Sequence, residues 1–203
     1  MSGHDNIAAG RGASEGCANC PRRPSRKREI LLSSFDEEYE RQLAEARARA
    51  TARGRGDVLD YLHLKAANDT LRARAVSWLL DSFTTLAGEL NRTGAGLSLA
   101  RNEAHRFRVG HSTMVGERLV LRRGLRALTV EAGWPRTPRD GVVRGGGLAS
   151  ALVGHFGNRR ADEELLLVSA EAETARWFVI EKTGARTELL EEHLRRHVVR
   201  LLD

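Results

Sequence analysis

The residues of this 203-residue chain best placed to do chemistry lie between positions 131 and 157, EAGWPRTPRDGVVRGGGLASALVGHFG. Two of the four prolines and seven of the twenty glycines fall there, with Arg136, Arg139 and Arg144 set among them. Such a density of special backbone positions is costly unless a site or a close packing contact requires it. Arg144-Gly145-Gly146-Gly147, followed by residues 148–156, reads as a glycine-rich turn entering a short helix. Bare amide groups and a helix dipole at such a place favour an anion. No Lys-Ser/Thr pair follows, which excludes a P-loop, and Ser150 stands where a dinucleotide fingerprint has its third glycine. The structural alternative is a long hairpin loop whose glycines let backbones approach closely.

A second candidate is a cationic strand face. Arg106 and Arg108 alternate with Phe107 and Val109, and Arg118 and Arg122 flank Leu119 and Leu121. With the apolar residues inward, the four guanidinium groups form an outward strip that can grip phosphates bidentately. A two-residue turn at Arg123-Gly124 places Arg118 opposite Thr129. Nucleic acid or another polyanion is the expected partner, although only 5% of the chain is aromatic and base stacking has few candidates.

Acid–base chemistry has thinner support. Glu103, His105, His111, Ser112, Glu131, Asp140 and His155 are the available groups near the loop, but no GxSxG elbow lies among them. An enzymatic reading rests on Glu131, Asp140 and His155, with the arginines holding a phosphorylated or carboxylated substrate. Cys17-Ala18-Asn19-Cys20 is a weak metal candidate, since a structural zinc needs four ligands and the chain has two cysteines. His193 and His197 share one helix face, yet Leu194 replaces the glutamate of an HExxH motif, so packing at the rim of the core is expected. No cofactor signature is present and none is expected.

Charge points the same way as the arginines. The formal net charge is +6, and residues 101–160 alone carry twelve Arg against Glu103, Glu117, Glu131 and Asp140, a net of +8. Residues 161–203 carry ten acids against six bases. A localised positive field attracts anions. Arg outnumbers Lys along the whole chain, however, so the preference for Arg itself carries little information. No apolar run is long enough for a bilayer span and residues 1–16 lack the apolar core of a secretory signal, so a cytoplasmic location without membrane contact is expected.

These groups need a frame. Residues 1–28, poor in bulky apolar groups, read as a disordered basic tail. Ser34-Phe35-Asp36-Glu37 fits a capping box opening a polar helix over 35–51, and Gly54 and Gly56 break it. Leu71, Ala75, Trp78, Leu79, Phe83, Leu86 and Leu90 mark the buried stripe of a helix over 57–91. This 29–93 segment could dimerise or dock a partner. After Gly96 the period becomes two, predicting strands near 97–100, 105–109, 116–122, 125–132, 164–169 and 176–181. A closing helix over 187–202 turns Leu190, Leu194, Val198 and Leu201 inward. The expected fold is α+β: helices, an antiparallel sheet of five or six strands over 94–203, and a C-terminal helix. The expected function is non-enzymatic binding of an anionic partner through 101–160.

Overall fold

Alternating apolar residues joined by glycine turns produce a sheet that folds back on itself strand by strand. In the computed structural model the backbone is described for residues 26–170 and 174–202, and side chains from residue 38 onward. Helices α1 (Arg26–Ala52) and α2 (Gly56–Arg92) precede strands β1 (Ser98–Val109), β2 (Ser112–Arg123), β3 (Arg126–Trp134), β4 (Ala149–His155), β5 (Glu163–Ser169), β6 (Ala175–Ile180) and β7 (Arg186–Glu188). Helix α3 (Glu191–Leu202) closes the chain. The seven strands pair in sequence order, each antiparallel to the next. The fold is α+β.

Helix α1 starts at Arg26, so the expected cap at Ser34 lies within a helix instead of at its start. Gly54, at φ +62°, takes the left-handed turn between α1 and α2. The two helices then run antiparallel, with Lys65 over the Tyr39 ring at 4.5 Å and Tyr39 Oη 3.5 Å from Asp69. The second half of α2 lies on the sheet. Val76, Leu79, Leu80, Phe83, Leu86 and Ala87 are buried together with Leu119, Leu121, Leu128, Val130, Leu165, Leu167 and, from α3, Leu194, Val198 and Leu201. Trp78 is half exposed and Leu190 is exposed, contrary to the expected stripes. The buried face of α2 is centred on Val76, Leu80 and Phe83, which leaves Trp78 on the flank.

One face of the sheet meets α2 and α3. The other carries a smaller cluster of Phe107, Val109 and Met114. Two backbone features set this geometry. The first is a register shift between Asn102 and His105 in β1. A bulge of this kind changes which side chains face which side. The second is the cross-strand pair Gly116 and Gly133. A Cβ on Gly116 would lie 2.1 Å from the Ala132 carbonyl oxygen, so β2 and β3 approach here more closely than any side chain permits.

Where a helix is expected over 148–156, Ala149–His155 form a central strand. Its small residues Ala149 and Ala151 sit under the helices, while β3 and β5 satisfy its amides on both sides. A seven-residue apolar run is ambiguous between helix and strand, and the neighbouring edges decide it. No helix N-terminus therefore follows Gly147. The β2–β3 turn also moves, because Arg123 pairs with Arg126 and the loop is Gly124-Leu125. Arg118 consequently faces Glu131 and not Thr129.

Residues 135–148 form a strap over the sheet end. Arg136 stacks on Trp134 at 3.9 Å. Thr137 donates from its amide and hydroxyl to Asp140, closing a 3-10 turn over Pro138–Asp140. Ser112 Oγ donates to the Val142 carbonyl at 2.8 Å. Val143 covers the Phe107 cluster, Gly147 presses on Leu166, and Arg186 donates to the Gly145 carbonyl at 2.9 Å.

Candidate anion-binding site

The expected strip of four arginines on one face does not form. Arg106 pairs with Val115 and Arg118 with Glu131, and Val115 and Arg118 lie three residues apart on β2. An odd spacing puts them on opposite faces. Arg106 and Arg108 therefore project from one face, Arg118 and Arg122 from the other. The bulge at 102–105 is the physical reason, since it inverts β1 between the apolar positions used to set the register.

The three carboxylate and imidazole candidates also separate. Glu131 Oε1 accepts from His105 Nε2–H across the missing side chain of Gly116, at 2.6 Å. Asp140 is held in the strap by Thr137, with Arg106 4.0 Å away. His155 ends β4 at the far end of the sheet from the strap, about 20 Å along the strand from Ala149. The cleft of about 320 Å³ beside the strap is lined by Trp134, Arg136, Thr137, Tyr39, Lys65 and Asp69 among others, and neither Glu131 nor His155 reaches it. Of Arg136, Arg139 and Arg144 only Arg136 lines that cleft; Gly145 and Gly147 pack in the strap against Arg186 and Leu166, while nothing lies within 4 Å of a Cβ built at Gly146. Cys17 and Cys20 lie outside the described residues. His193 and His197 do not share a metal: His193 Nδ1 accepts the Leu190 amide at 3.1 Å, and His197 turns into the core. Among the described residues no His/Cys/Asp/Glu group is arranged to hold a metal ion.

Positive charge gathers instead at the end of the sheet opposite the strap. The β2–β3 turn, the β4–β5 connection and the last turn of α3 meet there. Arg126, Ala127, His155, Phe156, Asn158 and Arg200 line a cleft of about 430 Å³. Arg159 and Arg160 follow directly in a 3-10 turn, and Arg122 projects from the other face of the same hairpin. No described carboxylate forms an ion pair with Arg122, Arg126, Arg159, Arg160 or Arg200. Arg123 differs: it donates to the Leu202 carbonyl and so completes the end of α3. Two large apolar side chains stand out in solvent beside these arginines, Leu125 at 94% exposure and Phe156 at 78%.

Beneath the cleft runs a buried imidazole pair. His155 Nε2 lies 2.9 Å from His197 Nδ1, and the rings stack with centroids 5.2 Å apart. His197, only 1% exposed, has its Nε2 3.1 Å from Glu163 Oε2, a charge contact too bent to be a hydrogen bond. The Glu163 carboxylate favours a proton on that Nε2, which leaves Nδ1 to accept from His155 Nε2–H. Desolvation, chiefly, holds both imidazoles below their ordinary 6.5; at His155 the neighbouring His197 and Arg200 add to it, and at His197 Glu163 opposes it.

This pair predicts a pH dependence of stability. A histidine whose folded pKa is depressed binds fewer protons folded than unfolded, so stability is full above 6.5 and falls as pH drops through 6.5 toward the folded value. Urea midpoints measured from about pH 8 to about pH 5 should decline below about 6.5, and His155→Gln should flatten that decline. A midpoint that rises on acidification would contradict the arrangement.

Sequence reasoning missed Arg126, Arg159, Arg160, Arg200 and Phe156 as a group. The +8 balance of residues 101–160 contains most of them, but they come from separate segments and no spacing in the sequence marks them as neighbours. No protein-family model matches the chain, and no curated protein or solved structure matches it either.

Proposed function

We propose that this chain is a non-enzymatic binding protein whose arginine-rich end takes a polyanion, with nucleic acid first among them. The observation that carries the reading is Arg126 and Arg200 lining one cleft, with Arg159 and Arg160 in the 3-10 turn that directly follows its Asn158, none paired with a described carboxylate. Unpaired guanidinium groups in high dielectric cost little to hold apart and gain charge-assisted, bidentate bonds when phosphate arrives. Phe156 beside them offers a face on which a base can stack. Phosphate contacts of this kind grip without reading sequence, so broad specificity follows.

Gel-shift titration with mixed-sequence duplex DNA and with RNA tests this. About four phosphate contacts on duplex predict an affinity loss of about 100-fold between about 50 and 200 mM salt. Absence of binding at the lower salt, or binding indifferent to salt, would refute the proposal. Among the described residues no helix is long and apolar enough to cross a membrane, so the exposed Leu125 and Phe156 are not the flank of a described transmembrane helix.

A further inference from the structure

We propose that the His155 cleft binds a single phosphate-type oxyanion and takes up a proton into the His155–His197 pair as it does so. This builds on the reading of the arginine-rich end as an anion site and names how that site is regulated. The cleft, about 430 Å³, is of the size of small-ligand sites. Two guanidinium forks, from Arg126 on β3 and Arg200 on α3, and the Asn158 side chain line it together with His155. That donor set suits the oxygens of a phosphate or sulfate group.

The imidazoles below form a directed chain. The nearby Glu163 carboxylate favours the proton of His197 on Nε2, His197 Nδ1 accepts from His155 Nε2–H, and His155 Nδ1 is left with a bare lone pair. The pair can therefore gain one proton without breaking a bond. The groups facing it are known on every side. Glu163 on β5 and Asp162, whose carboxylate accepts the His155 amide at 2.8 Å, favour the added charge. Arg196 and Arg200 on α3 oppose it, and α2 contributes the uncharged Phe83 ring, 6.4 Å from His197 between centroids. An anion seated on Arg126 and Arg200 cancels the opposing field and adds attraction. Protonation of the pair and occupancy of the cleft must then promote each other, since linkage is reciprocal.

Sulfate is the probe of choice because its charge is constant across the pH range. Calorimetric titration of the full chain with sulfate, at about pH 6 in two buffers of different ionisation enthalpy, counts the protons taken up. We expect net uptake, at most one proton per sulfate, and an affinity that rises about threefold or more from about pH 7.5 to about pH 5.5. His155→Gln should still bind sulfate but with affinity independent of pH, whereas Arg126→Ala with Arg200→Ala should lose it. Should these variants fail to fold, the proton count of the unaltered protein decides alone: no uptake, or affinity falling on acidification, overturns the inference. Salt-dependent nucleic-acid binding without sulfate uptake would sink this inference and leave the polyanion reading standing. Sulfate binding with proton uptake but no nucleic-acid binding would do the reverse.

Discussion

Replacing Gly116 by alanine is expected to destabilise the protein by about 3 kcal/mol or more, enough to unfold much of the population in mild denaturant. A glycine-to-alanine change within a strand ordinarily stabilises by about 0.5–1 kcal/mol, because the unfolded chain loses freedom. Here the added Cβ would stand 2.1 Å from the Ala132 carbonyl oxygen and 2.6 Å from the Gly133 Cα, both backbone atoms that no rotamer change can move. Strands β2 and β3 would have to separate at the point where His105 reaches across to Glu131 and where the strap begins. Gly88 on α2 is the internal control. Nothing lies within 4 Å of a Cβ built there, so Gly88→Ala should stabilise by about 0.5–1 kcal/mol. Urea denaturation of the two variants against the parent protein measures both. Equal signs for the two substitutions would show that the close approach of β2 and β3 is wrong.

Charge reversal at the cleft should have the largest functional effect. Arg126→Glu combined with Arg200→Glu is expected to weaken polyanion binding by about 100-fold or more at low salt. Two phosphate contacts are lost and two carboxylates then face the phosphates. Both arginines line the cleft without a described ion-pair partner, so their removal orphans no internal carboxylate. Arg200 also opposes protonation of His155 and His197, so the double variant should retain more of its stability on acidification. Arg139→Glu on the strap serves as the contrast, with an expected change of about threefold or less from long-range charge alone. Binding constants from fluorescence anisotropy with one labelled oligonucleotide separate these outcomes.

Local periodicity made much of the architecture legible. The apolar spacing of α2 and the amphipathic pattern of the last helix report burial, but the strands expected at 97–100 and 105–109 are one strand, β1, and the closing helix expected from 187 begins at Glu191, after β7. Residues 148–156 were not legible, because small and apolar residues in a short run suit a buried helix and a central strand equally, and only the edges of β3 and β5 select the strand. The bulge at 102–105 leaves no mark in composition, yet it inverts the face on which Arg106 and Arg108 stand.

The site was less legible still. Glycine and proline density correctly marks residues 135–148 as special, but their constraint comes from packing against Ser112, Leu166 and Arg186. His155 and His197 meet across 42 residues of sequence, and Arg126, Asn158 and Arg200 come from three separate segments. No spacing rule reaches such a cluster. Only the concentration of positive charge hinted at it, and charge alone cannot say which end of a sheet it occupies.

The location of the partner is the central claim, and amide hydrogen exchange tests it most directly. Exchange is measured by mass spectrometry on the full chain at low salt, with and without a saturating oligonucleotide of about 20 nucleotides. The account predicts slowed exchange in segments 122–127, 155–161 and 196–202, with the strap at 135–147 unchanged. Protection confined to the strap, or to none of these segments while the oligonucleotide is bound, would contradict it.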